Sequence, residues 1–159
     1  MTELIKAKVS ELLANQTADR VLGWKKGEFF YDETPAVFQA EELDDLVYDG
    51  FSAPNLSKYL IKESKKEGKV IALLKPCDTY SFNQLIMEHR INRDNVYVVG
   101  VPCRGNLDIN KIREKGIKGI QSIKEQGDEL IIETIYGTKT LPREEVILDR
   151  CLCCKGSQH

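Results

Sequence analysis

The stretch KVIALLKPCDTYSFNQLIMEHRINRDNVYVVGVPCRGN, residues 69–106, decides how this chain folds. It opens with a continuous apolar run of strand length, residues 69–76. Phe82, Leu85, Ile86 and His89 then recur at i, i+3, i+4 and i+7, the spacing of a helix face. A second run, rich in valine, follows at 95–102. Strand, helix and strand within roughly 30 residues predict a βαβ unit over about 69–102. Strands that are apolar along their whole length suit a parallel sheet covered on both faces.

Each apolar run stops at a Pro-Cys pair. In a βαβ unit both strands point the same way, so their carboxyl ends share one rim of the sheet. Ligands of open α/β sheets bind along that rim. Neighbouring strands lie about 4.8 Å apart, so Cys77 and Cys103 are expected to face one site. The proline before each cysteine fixes the direction in which the chain leaves the sheet and removes an N–H that would need a partner. Cys77 is expected just ahead of a helix capped by Asp78 or Thr79, whose N-terminal dipole favours a thiolate.

Outward from this unit, Thr2 is read as the cap of a first helix whose stripe is Ile5, Val9, Leu12 and Leu13. Residues 20–39 read as short strands broken by Gly27 and by a turn at Glu33–Pro35. AEELDDLV reads as a short acidic helix with a solvated face, and a further helix is expected after Pro54, with Leu56, Tyr59 and Leu60 on one side, ending at Gly68. NLDINKIREKG predicts a short helix, and IQSIKEQGDELIIETIYGTKTLP a hairpin turning near Gly127. The fold class is therefore α/β: a short, mostly parallel sheet flanked by helices, with a C-terminal β-hairpin. We expect one domain over 1–159, readable also as the N-terminal part of a longer subunit.

The 159 residues carry a net charge of −2, with basic and acidic side chains interleaved, which argues against nucleic acid as the partner. No run approaches the roughly 18 apolar residues of a membrane span, so no membrane insertion is expected. The first residues, MTELIKAKVSELLANQ, lack the apolar middle of a signal peptide, and the protein is expected to be cytoplasmic. In a reducing compartment its five cysteines are thiols or metal ligands rather than a disulfide framework.

Cys151 and Cys154 form a C-x-x-C pair, with Cys153 between them. Together with Cys77 and Cys103 they make four thiolates, the complement of a [4Fe–4S] cluster. All-sulfur ligation also suits a structural zinc, although the tandem C-x-x-C of zinc ribbons is absent. Lys75, Arg104 and Arg150 each lie one or two residues from a cysteine and are expected to balance the charge of bound thiolates or a cluster. Of the two histidines, His89 is read as a packed helix residue and His159 as terminal. Trp24 is read as a core or interface anchor. No G-x-G-x-x-G or P-loop occurs, and no acid, base or nucleophile array marks a catalytic centre.

LKPCDTYSFNQLIMEHRINRDNVYVVGVPCRG followed by RCLCC resembles the beta subunit of deazaflavin-reducing (coenzyme F420) hydrogenases and formate dehydrogenases of anaerobes. That family has a Pro-Cys after one strand, a second cysteine after the next and a terminal C-x-x-C, in this order; the resemblance covers roughly residues 55–154. It implies that Cys77, Cys103, Cys151 and Cys154 hold one [4Fe–4S] cluster. It also implies an electron-transfer component, relaying single electrons to or from a redox protein or oxidoreductase subunit, ferredoxin-like or flavoprotein. Members that bind FAD carry a glycine-rich segment before the first Pro-Cys, where this chain has FSAPNLSKYLIKES. A FAD-dependent reductase subunit and a non-redox module with a structural zinc held by four thiolates are the alternative readings.

Overall fold

The computed structural model describes residues 1–158, so His159 lies outside the described residues. The chain begins with α1 (Thr2–Ala14), β1 (Arg20–Lys26), β2 (Glu33–Phe38) and the two-residue β3 (Leu46–Val47). A single helical turn, α2 (Leu60–Glu63), leads to β4 (Val70–Leu74), α3 (Pro76–Met87) and β5 (Val96–Gly100). After α4 (Ile109–Glu114) come β6 (Ile120–Gln126), β7 (Glu129–Thr134), β8 (Gly137–Pro142) and the short α5 (Asp149–Leu152).

The expected βαβ unit is present. β4 and β5 pair in parallel, Val70 against Val96 through Leu74 against Gly100, with α3 between them in sequence. All five residues of β4 are buried, as a central strand covered on both faces requires. The sheet order is β2-β1-β4-β5. β1 runs parallel to β4 and antiparallel to β2 and β3, so the sheet is mixed, with a parallel half built by β1, β4 and β5. Against this sheet α1 lays Ile5, Val9 and Leu12, the predicted stripe. Trp24 is fully buried in the same core, as expected of an anchor.

Several local expectations are corrected. Thr2 is the first helical residue rather than the cap. Its hydroxyl instead exchanges hydrogen bonds with the Tyr48 backbone, donating to the carbonyl at 2.8 Å and accepting from the N–H at 3.1 Å. Glu33–Pro35 is the start of β2, not a turn; proline is tolerated there because β2 is an edge strand. AEELDD forms a 3-10 helix, Ala40–Asp45, rather than an α-helix. The helix after Pro54 shrinks to a 3-10 turn, Ser57–Tyr59, running into α2, with Leu56 and Leu60 buried and Tyr59 exposed. Its end is fixed by a buried ion pair, Arg20 Nε donating to Glu63 Oε2 at 3.2 Å. His89 is not packed: it is exposed, just past α3, at φ +56.

The predicted hairpin gains a third strand. β6, β7 and β8 form an antiparallel sheet, and β7 turns Leu130 and Ile132 onto a second apolar cluster with Phe51, Leu107, Ile112, Ile117 and Val146. β8 escapes prediction because its GTKTLP is almost wholly exposed and carries no apolar alternation.

Candidate functional site

β4 ends in Leu74, and Pro76 opens α3 with its fixed φ at the first helical position. Cys77 therefore lies inside the first turn of α3, not ahead of it. The strand-to-helix joint is held from below by Lys75. This side chain is 1 % exposed, and its ammonium donates to the carbonyls of Ser52 at 2.7 Å and Pro54 at 3.0 Å. It also lies 4.4 Å from the Trp24 ring centroid and 3.4 Å from the buried Asp78 carboxylate.

Asp78 accepts the Lys75 N–H at 3.2 Å and sits beside Cys77, whose thiol donates to its other oxygen at 3.8 Å. Although Cys77 keeps an exposed face, partial burial of its thiol and the Asp78 charge push it up to about 11, with Lys75 pulling the other way. The expected thiolate-favouring effect of the helix N-terminus is thus outweighed in the free thiol; a bound metal ion would deprotonate it outright. Cys103 and Cys154 lie close enough to raise Cys77 further, so three of the four predicted ligands share one neighbourhood.

The fourth, Cys151, is brought in by pairing between the two cysteine-bearing segments. Leu107 and Ile147 form an antiparallel bridge, and the Leu148 N–H donates to the Asn106 carbonyl at 2.9 Å. α5 follows directly, which sets Cys151 beside Gly105: a Cβ on that glycine would lie 3.2 Å from Cys151 Cβ. The Asn106 N–H donates to Cys151 Sγ at 3.4 Å. On the other side, a Cβ on Gly156 would lie 2.7 Å from Pro76 Cβ, so the segment after Cys154 packs on the start of α3. Cys153 is exposed. Among the described residues no three or more His, Cys, Asp or Glu side chains are gathered closely enough to hold a metal ion. In chemistry, a backbone N–H aimed at the Cys151 sulfur is the kind of donor that supports a thiolate ligand.

The three cations have different surroundings. Lys75 is buried as described. Arg104 is exposed and turned toward the β6–β7 turn, donating to the Gly127 carbonyl at 2.8 Å and to the Asp128 carboxylate. Arg150 is exposed on α5, next to Cys151.

Sequence reasoning missed Tyr48, Asn106 and Arg143. Tyr48 packs on Trp24, with ring centroids 5.2 Å apart, and donates its hydroxyl to the Pro102 carbonyl at 2.6 Å. Burial and the adjacent Cys103 push this phenol well above its ordinary value. Asn106 also donates its side-chain amide to the Gly50 carbonyl at 3.3 Å. The Gly105-Asn106 dipeptide is a turn signal that could have singled it out; nothing near Arg143 or Tyr48 would have. A cleft of about 600 Å³ opens beside Cys103, lined by Tyr48, Phe51, Arg104, Lys124 and Arg143 among others.

No family model matches the chain. Over 97 residues, 60 % of the chain, it is 35 % identical to the F420-dependent formate dehydrogenase 1 subunit beta of Methanococcus maripaludis and 33 % identical to the F420-dependent formate dehydrogenase subunit beta of Methanocaldococcus jannaschii. The matched regions are 25 % and 26 % of those proteins, so the chain spans about a quarter of the length of the curated relatives it matches. In fold it is similar to a chain of the F420-reducing [NiFe] hydrogenase complex from Methanosarcina barkeri, with a TM-score of 0.71 over 94 % of this chain and 58 % of that one, at 15 % identity. Among the described residues no helix is long and apolar enough to cross a membrane. Over those 97 residues the chain is thus similar to the beta subunits of F420-dependent formate dehydrogenases, in keeping with the resemblance carried by its ordered cysteines.

Proposed function

We propose that the chain is an electron-relaying part of an anaerobic oxidoreductase of the hydrogenase or formate dehydrogenase type, and that Cys77, Cys103, Cys151 and Cys154 together hold one [4Fe–4S] cluster. A bound cluster supplies one-electron transfer; the chain supplies the ligands, their order and a partly covered rim. The observation that carries the reading is the pairing of Leu107 with Ile147, which brings a strand-end cysteine loop and the C-x-x-C segment together, beside α3 with Cys77. Lys75 moderates the negative charge near Cys77, and Arg104 and Arg150 adjoin Cys103 and Cys151 in the chain. The partner in this reading is another redox protein or oxidoreductase subunit, ferredoxin-like or flavoprotein, in the cytoplasm.

Serine substitutions test the ligand set. Cys77→Ser and Cys103→Ser are expected to abolish the broad visible absorption of the cluster, while Cys153→Ser keeps it. Loss with Cys153→Ser and retention with Cys154→Ser would overturn the assignment. The cleft beside Cys103 favours a second reading, in which the cluster serves a flavin bound there. A flavin absorption band released from the purified chain on denaturation would support that reading, and a colourless supernatant would not.

A further inference from the structure

One peptide unit links a buried arginine to a ligand sulfur. The Gly105 carbonyl accepts from Arg143 Nη2 at 2.5 Å, and the N–H of the same peptide, that of Asn106, donates to Cys151 Sγ at 3.4 Å. Because a trans peptide is planar, its carbonyl and N–H point in opposite directions and cannot be aimed separately. Whatever fixes the carbonyl therefore aims the N–H.

Arg143 is well placed to do so. It is 4 % exposed, its Nη1 donates to the Arg104 carbonyl at 2.6 Å, and its Nε donates to Glu125 at 2.8 Å. The guanidinium fork thus grips two successive carbonyls while β6 holds its stem end through Glu125, a geometry that a point charge such as lysine cannot reproduce. Gly105 makes the arrangement possible. Its φ of +88 suits glycine, and a Cβ there would also press on Ile147 Cγ2 at 3.1 Å.

We propose that Arg143 is a positioning residue that turns the Gly105–Asn106 N–H onto Cys151 and thereby raises the reduction potential of the cluster held at the cysteine rim. The inference rests on the iron–sulfur reading above. An N–H dipole directed at a ligand sulfur stabilises the more negative, reduced state, and hydrogen bonds to sulfur are among the factors that set such potentials. Glu125 acts one step further out, by fixing the guanidinium.

Two readouts on the full chain test this. In amide hydrogen exchange, Arg143→Gln is expected to speed exchange of the Asn106 N–H on the order of tenfold or more, the loss expected when a charged donor releases its acceptor. Arg143→Lys, which keeps the charge and guards against a folding failure, is expected to fall between. In a redox titration of the iron-loaded chain, Arg143→Gln is expected to shift the midpoint to more negative potential. Glu125→Gln separates aiming from bare charge: loss of a carboxylate alone would move the midpoint positive, whereas slackening Arg143 moves it negative. Unchanged Asn106 exchange in Arg143→Gln, or a positive shift in Glu125→Gln, overturns the proposal. A chain that loads no iron overturns the iron–sulfur reading instead, and the potential claim with it; the exchange measurement then decides the aiming role alone.

Discussion

Glu33 shows how one residue can carry a pH dependence that no motif announces. It begins β2, is 6 % exposed, and accepts a hydrogen bond from the Ser52 hydroxyl on Oε2. Among the described residues nothing donates to its Oε1, and the neighbouring group is the Asp49 carboxyl. Two carboxyls can share a hydrogen bond only if one holds a proton. Burial, then Asp49, pushes Glu33 up to about 8, against the opposing effects of Ser52 and Lys26. The folded state thus retains a proton that the unfolded chain releases near the ordinary value of 4.5. The corresponding stability is present in full below that value and is lost as pH rises through about 8. Thermal melts between about pH 5 and pH 9 should show the wild-type midpoint falling with pH and Glu33→Gln losing that part of the slope. Parallel slopes for the two proteins would contradict the assignment.

Among elements, the joint between β4 and α3 matters most, because it aims Cys77. Its existence is legible in the sequence: a five-residue apolar strand, Pro76 at the first helical position and a 3.6-residue spacing after it. The inward turn of Lys75 is not legible. Adjacency to Cys77 suggests a cation facing the cysteines, yet the side chain runs under Trp24 to the carbonyls of residues 52 and 54. Chain neighbours tell which residues meet at a strand end, but not to which side each side chain leaves it. Similarly, α1 and the βαβ unit are readable because their apolar patterns are long. β8 is not, and the helix after Pro54 is legible in its presence but not in its length, since tertiary contacts rather than pattern cut it to the single turn of α2. Lys75→Met would leave the Asp78 carboxylate buried without its partner, a loss of about 3–5 kcal/mol. Urea unfolding should show this as a large fall in midpoint, largely recovered in Lys75→Met with Asp78→Asn. A double variant no better than the single one would show that Asp78 does not depend on the lysine.

At the scale of the molecule, the cysteine rim lies where two apolar clusters meet. Cys77 and Cys103 leave the strands of the mixed sheet, which encloses the first cluster. Leu107, next to the Cys103 loop, and Val146, ahead of Cys151, belong to the second. The candidate ligands can be picked out by type and order, since Pro-Cys twice and C-x-x-C once are visible in the chain. The approach of the Cys103 loop to the Cys151 segment cannot, because it depends on the Leu107–Ile147 bridge and on Arg143 reaching across from the end of β8. Isolated residues in those segments give no periodic signal for either contact.

The central claim is a cluster held by thiolates from both halves of this rim. It is tested most directly by iron, acid-labile sulfide and zinc content of the chain purified without oxygen. A cluster on these four thiolates predicts about four irons and four sulfides per chain. About one zinc with no sulfide, or no metal after reconstitution with iron and sulfide, would contradict it.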